Sequence, residues 1–285
     1  MKPIGMSNEE LKAAAPSIFA TAAWSGVSDR YTFIPTIRVI DALRDVGFVP
    51  TQAGQSRTRV DGKRPFTKHL IRFQSQVDAK KYPRVVDGNA NYFYKKGEAP
   101  NIAEINIINS HDLSAAYQIN AGIYRRICSN GLVVCSARIG SIHIRHSGEI
   151  VDEVVGATRH IVKQMPAVLE QIQEWTGIEL STKDRDTLAR AVLIQRYGLD
   201  EEGKLLAPIQ PQQILEARRP EDRGHDLWST TNVIQENVMR GALPGISHSG
   251  RKTKTRAIKS INADLKFNRD VWTLSETFAK RLTVH

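Results

Sequence analysis

The sequence predicts an α+β fold, with a mixed, largely antiparallel sheet and helices in the first half and a mainly helical second half. Three observations carry that expectation. An Asp61-Gly62 pair stands between two extended runs, the strongest turn signal in the chain. Residues 103–108 form a short apolar-rich run of the kind that makes a buried strand. From Val151 onward, Val155, Thr158, Val162, Met165, Leu169, Ile172 and Thr176 recur at alternating steps of four and three, which is one face of a helix.

The remaining elements follow in order. Residues 1–28, with three alanines ahead of Pro16, read as a loosely held arm, and order is expected to begin near Tyr31. Residues 36–46 place Ile37, Ile40, Leu43 and Val46 at helical spacing, and Gly47 supplies a stop. Residues 48–60 and 66–73 are the two arms of the Asp61-Gly62 hairpin. Residues 75–100, rich in Lys, Tyr, Gly and Asn, read as a long loop. Residues 114–128 mix small and apolar residues in a pattern read as a helix ending at Asn130-Gly131. Short strands are expected at 132–134 and 139–145.

In the second half, Pro166 removes a backbone donor and should kink or split the helix of residues 151–176. Ser181 and Asp184 have the spacing of a capped helix start, leading through Tyr197 to Gly198. Residues 199–225 are a Pro- and charge-rich connector. A further helix spans 227–240 and stops at Gly241, and 264–282 closes the chain as helix and turn. The parts group as an arm, 1–28, a sheet region, 29–148, and a helical region, 149–285, integrated into one domain.

The chain has 285 residues, 41% hydrophobic and 25% charged, the make-up of a globular protein. No apolar run approaches the ~20 residues that span a bilayer, and the first ten residues lack the pattern of a signal peptide. Two cysteines, Cys128 and Cys135, imply no disulfide framework and are expected as small core residues. The cytoplasm is the expected compartment.

The net charge of +10 is unevenly spread. Residues 51–100 hold eleven Lys and Arg against four Asp and Glu, and residues 251–285 hold nine against three. Localised charge of one sign attracts polyanions, whereas an even spread serves solubility. In the first window, Arg57, Arg59, Lys63, Arg64 and Lys68 lie on the hairpin. Tyr92 and Tyr94 stand among cations that include Lys95 and Lys96, as base stacking with phosphate neutralisation requires. In the second, Arg251, Lys252, Lys254, Arg256 and Lys259 follow a Gly- and Ser-containing loop, and ammonium, guanidinium and hydroxyl groups all donate to phosphate oxygens. The bland alternative is a solvated face with the aromatics turned to the core.

Catalytic signals are sparse. Asn109-Ser110-His111-Asp112 follows a predicted strand, where loop residues often carry chemistry. Adjacent side chains cannot form a triad with each other. The run is therefore a candidate functional loop, through Asn109, His111 and Asp112, or a cap in which Asp112 or Ser110 accepts backbone N–H groups near Ser114. His143 and His146 fall on opposite sides of a strand, a poor chelate. No phosphate-binding glycine motif occurs. No cofactor and no metal are expected.

Several segments resemble the plasmid- and prophage-borne family known as domain of unknown function 932. They are Asn109-Ser110-His111-Asp112 with Ala116-Tyr117, and the run from Arg125 and Arg126 through Asn130-Gly131-Leu132. Arg218-Arg219-Pro220-Glu221-Asp222, Asp226-Leu227-Trp228, Gln235-Glu236-Asn237, residues 250–256 and residues 268–272 continue the likeness, which spans about residues 30–280. The resemblance implies no activity, but its mobile-element setting implies a DNA-related role. Charge and setting together predict a non-enzymatic DNA-binding accessory protein favouring single-stranded DNA, for annealing or protection, and able to act as a homo-oligomer. The competing expectations are an anti-restriction module that binds a host defence protein, and a metal-dependent nuclease or hydrolase using His111 and Asp112.

Overall fold

The structure, a computed structural model, describes residues 4–27, 31–82, 101–125, 131–133, 142–144 and 150–283. It is α+β, and the chain divides into two compact units, residues 1–166 and 167–285. The division falls at Pro166, inside a helix.

The first unit is built on one antiparallel sheet. Its strands are β1 (Phe48–Gln55), β2 (His69–Ser75), β3 (Asn101–Asn109), β4 (Tyr117–Arg125), β5 (Gly131–Val133) and β6 (Ile142–Ile144), in the order β1-β2-β3-β4 with β5 and β6 both pairing with β4. The Asp61-Gly62 turn lies between β1 and β2, with Gly62 at φ +71°, a conformation that favours glycine. The hairpin is shorter than the sequence predicts, because residues 56–68 leave the ladder and include a 3₁₀ turn at Arg64–Phe66.

Alternation gives the sheet two unlike faces. Ile71 pairs with Ile107 and Phe73 with Ile105, and β4 places Ile119, Ala121 and Ile123 beside them. All are buried, forming the apolar face. The opposite face carries Arg72, Gln74, Glu104, Asn106 and Asn120, also buried. Arg72 Nη1 donates to Asn106 Oδ1 at 3.2 Å and lies 3.9 Å from the Glu104 carboxylate, to which Gln74 Nε2 donates at 3.0 Å. These contacts tie Arg72 and Gln74 of β2 to Glu104 and Asn106 of β3 across the buried polar face.

The expected loose arm is instead ordered. Helix α1 (Asn8–Ala14) starts at a capping box between Ser7 and Glu10, and a 3₁₀ turn, Pro16–Phe19, follows. Leu11, Ala15 and Ile18 are buried, and Met6 N–H donates to the Pro50 carbonyl. Of the three alanines, Ala15 is buried, whereas Ala13 and Ala14 are exposed. Helix α2 (Thr36–Asp45) matches the expected span and ends at Gly47, φ +86°. Helix α3 (Gln76–Lys81) stands where a loop is predicted, its first turn capped by Ser75.

The largest correction concerns residues 114–128, predicted as helix. Residues 117–125 are β4, because Ile119, Ala121 and Ile123 alternate inward against β3, and the small residues offer no helical stripe. Helix α4 (Ile150–Thr176) passes through Pro166 as one helix. Its buried positions are Val154, Thr158, Ile161, Met165, Val168, Gln171, Ile172 and Trp175, so the buried stripe shares only Thr158, Met165 and Ile172 with the predicted one. Val162 and Leu169 are each 37% exposed.

The second unit holds the end of α4, then α5 (Thr182–Tyr197), α6 (Pro211–Ile214), α7 (Leu227–Arg240) and α8 (Ile261–Thr283). A two-stranded hairpin, β7 (Pro244–Ile246) and β8 (Lys252–Lys254), separates the last two helices. Ser181 and Asp184 form the expected capping box. Trp175, Trp228 and Trp272 meet in the core with ring centroids 4.7 to 6.3 Å apart. Among the described residues no helix is long and apolar enough to cross a membrane.

Gly122 offers a direct check on the polar face. A Cβ there would stand 2.2 Å from Asn106 Nδ2, and Asn106 is held by Arg72. Gly122→Ala should therefore destabilise the fold by about 1–3 kcal/mol, the usual range for overpacking, read as a lower denaturant midpoint. An unchanged midpoint would show that Asn106 moves aside freely.

Candidate functional site

Two buried networks organise the surfaces that carry the exposed cations. The first begins with Thr36, the first residue of α2. Its hydroxyl lies 2.9 Å from His69 Nε2 and 3.3 Å from His111 Nε2, and accepts from Asn109 Nδ2 at 3.0 Å. His69 Nδ1 is 2.9 Å from Ser17 Oγ and 3.3 Å from the Thr67 carbonyl. All five side chains belong to fully buried residues.

Donor and acceptor counts fix the tautomers. A hydroxyl has one proton, so with Asn109 donating to it, Thr36 donates to one imidazole and accepts from the other. The Thr67 carbonyl can only accept, which favours the proton on His69 Nδ1 and leaves Nε2 to receive the Thr36 proton. His111 then donates through Nε2–H. His69 is neutral in this arrangement. Burial, with the neighbouring His111 adding to it, pushes the His69 imidazole down to about 3.

The run Asn109-Ser110-His111-Asp112 is the junction of this network. His111 N–H donates to the Phe66 carbonyl at 2.9 Å, and Trp24 N–H donates to the His111 carbonyl at 2.8 Å. Ser110 Oγ accepts from Ala115 N–H, and Asp112 accepts from Ser114 N–H, as expected for a cap. What they cap is the β3–β4 turn rather than a helix. Asp112 also pairs with Lys63 at 3.2 Å. Burial alone would raise the Asp112 carboxyl, but the Ser114 hydroxyl and amide and the Lys63 ammonium together bring it below its ordinary value. His111 faces inward, and a catalytic role would require it to leave Thr36.

The hairpin cations divide by placement. Arg57, Arg59 and Arg64 are exposed, and none is in an ion pair among the described residues. Lys63 is engaged with Asp112. Lys68 is buried, and that burial lowers its ammonium pKa, with Asp112 opposing the shift. Tyr92, Tyr94, Lys95 and Lys96 lie outside the described residues, as do Cys128, Cys135 and His146; His143, in β6, is exposed. A feature missed in the sequence is Trp24, half-buried beside this loop with its ring 5.4 Å from that of Phe66. Its sequence signal is an aromatic residue within Trp24-Ser25-Gly26, in a segment whose composition predicts an arm.

In the second unit, residues 242–255 form a hairpin that projects the other basic cluster. Arg251, Lys252, Lys254, Arg256 and Lys259 are all exposed, without an ion pair among the described residues. Lys252 and Lys254 are two apart on a strand and so point to one side. Ser247 N–H and Oγ meet the Arg251 carbonyl and amide, closing the loop. At its base, Ala242 N–H donates to the Thr255 carbonyl and Ile258 N–H to the Met239 carbonyl. A Cβ at Gly245 would stand 2.1 Å from the Pro208 carbonyl oxygen, the close approach that seats β7 against the connector.

The second buried network stiffens that base. Arg219 donates to both oxygens of Glu236 and to Asp222, and Arg240 Nε pairs with Glu236 at 2.8 Å. Arg218 donates to Asn237, whose amide donates to the carbonyls of Ile214 and Glu216. Gln235 donates to Asn268. Through Gln235, Glu236 and Asn237, α7 thus contacts Arg218, Arg219 and Asn268, which come from other segments of the chain. Among the described residues no group of three or more His, Cys, Asp or Glu side chains is arranged to hold a metal ion.

Comparison with known proteins is consistent with these blocks. Residues 23–272 match the family model described as Domain of unknown function (DUF932). The chain is 33% identical over 279 residues to UPF0380 protein YafZ of Escherichia coli (strain K12), covering 97% of this chain and 93% of that one. UPF0380 protein YfjQ of the same organism matches with the same identity and coverage. No solved structure matches the chain.

The imidazole network sets an acid limit. His69 titrates near 3 when folded and near 6.5 when unfolded, so the unfolded chain binds more protons between those values. The stability is complete above about pH 6.5 and is lost as pH falls toward 3, with a loss of about 2 kcal/mol by pH 5. Denaturant midpoints at about pH 7.5 and about pH 5 measure it. His69→Gln should flatten that dependence, and a wild-type midpoint that does not fall on acidification would contradict the neutral assignment.

Proposed function

The chain belongs to the DUF932 family, and we propose that it is a non-enzymatic protein that binds single-stranded DNA. The observation that supports this best is the hairpin of the second unit, where five exposed cations between Arg251 and Lys259 lack ion-pair partners among the described residues. Solvated cations on a surface normally sit among carboxylates, and keeping them unpaired suits a polyanion. The base of the hairpin is fixed by backbone bonds, so its cations are presented on a firm element. No base-reading helix is evident there, since α7 is buried along most of its length. Backbone contact without sequence readout follows. Annealing or protecting strands exposed by a mobile element is the role this contact suits.

Phosphate-driven binding weakens with salt, by a slope of about 0.7 per phosphate neutralised on single strands. Fluorescence anisotropy of a labelled single-stranded oligonucleotide should show that dependence for the full chain. Replacing Arg251, Lys252 and Lys254 together by Ala should weaken binding at low salt and reduce the slope by about 2. Because the three side chains are exposed, the thermal midpoint should stay put. Wild-type affinity and slope in that variant would defeat the assignment of the hairpin.

A further inference from the structure

We propose that Trp24, backed by Phe66, is a base-stacking platform, and that Arg57, Arg59 and Arg64 on the adjoining loop hold the phosphates of the same single strand. This deepens the nucleic-acid reading and rests on it, but it concerns a different unit of the chain and different residues.

The chain has four tryptophans, and three of them are core residues: Trp175, Trp228 and Trp272 are 2%, 4% and 0% exposed. Trp24 is only half-buried. One side of its ring rests on Phe66, at an interplanar angle of 56°. Its indole N–H makes no hydrogen bond among the described residues, unlike most buried indoles. Glycines flank the ring: a Cβ at Gly26 would crowd the indole nitrogen at 3.0 Å, and one at Gly62 would touch the six-membered ring at 3.8 Å. A side chain at either position would meet the ring.

The platform is also stiff. Trp24 N–H is tied to the His111 carbonyl, Val27 N–H turns back to the Trp24 carbonyl, and Phe66 is tied to His111 N–H. Lys63 anchors the loop to the buried Asp112 carboxylate. With Lys63 engaged and Lys68 buried, Arg57, Arg59 and Arg64 are left exposed and unpaired among the described residues. A fixed, partly exposed aromatic ring beside solvated guanidinium groups is the chemistry that receives an unstacked base and its phosphates. A duplex hides its base faces and would use the cations alone. Trp24 therefore contributes a preference for single strands.

The arrangement contains its own reporter, because the other three indoles are buried. Titrating the full chain with oligo(dT), oligo(rU) and a duplex of equal length, while reading tryptophan emission and anisotropy, tests it. Single strands should quench the emission, and Trp24→Phe should abolish the quench while retaining most of the binding. Trp24→Ala should weaken single-strand binding by about 5- to 150-fold, the cost of one lost stacking contact, and leave duplex binding within about twofold. Comparing oligo(dT) with oligo(rU) separates DNA from RNA as the source of the strand. Quenching that persists in Trp24→Phe overturns the proposal, as does equal loss on single strands and duplex. If Trp24 variants bind as wild type while the Arg251, Lys252 and Lys254 variant does not, the platform fails and the hairpin reading stands. If the wild-type chain binds none of the three probes, both fail.

Discussion

The hydroxyl of Thr36, placed between two buried imidazoles, is the constraint on which the first unit is organised. Burial favours a neutral histidine, and a ring nitrogen left without a partner costs stability. Satisfying His69 requires Ser17 on one side and Thr36 on the other, which joins the N-terminal 3₁₀ turn and the start of α2 to the sheet. Satisfying His111 through the same hydroxyl brings in the end of β3. The backbone of His111 then carries Phe66 and Trp24. An interior requirement thus sets the position of a surface loop and of the aromatic pair beside it.

The second unit solves a comparable problem with carboxylate and amide groups. Helix α7 is buried on nearly all sides although it carries Thr230, Thr231, Asn232, Gln235, Glu236 and Asn237. Arg219 and Arg240 hold the charge of Glu236, and removing one partner from such a pair leaves the other buried and uncompensated. The helix ends at Gly241, φ +63°, where a Cβ would come within 2.6 Å of the backbone of residues 256 and 257. That close crossing directs the chain into the basic hairpin. The polar interior and the exposed cations are consecutive parts of one local structure.

Much of this was legible in the sequence, and the losses have physical causes. Helices with a clear stripe or cap, such as α2, α5 and α7, were found close to their observed ends because local spacing and Ser, Asp or Gly signals decide them. The sequence predicts helix where β4 stands because alternating Ile, Ala and Gly carries little contrast until β3 is beside it. The arm became α1 because burial of Leu11 and Ile18 is a tertiary fact. Asp112 and Ser110 were recognised as N–H acceptors, but the partner of His111 lies 75 residues away at Thr36, a distance no local pattern reveals. Likewise the basic run at 251–259 was evident, whereas its presentation on a β-hairpin depends on Gly245 meeting Pro208.

The central claim is that exposed cations of the hairpin contact the backbone of a nucleic acid, and amine-reactive labelling read by mass spectrometry tests it most directly. With a single-stranded oligonucleotide present, Lys252, Lys254 and Lys259 should lose labelling relative to the protein alone, and added salt should restore it. Lys183 and Lys204, exposed in the same unit, provide the internal reference and should label equally in both conditions. Unchanged labelling at Lys252, Lys254 and Lys259 under conditions where the oligonucleotide is bound would contradict the account.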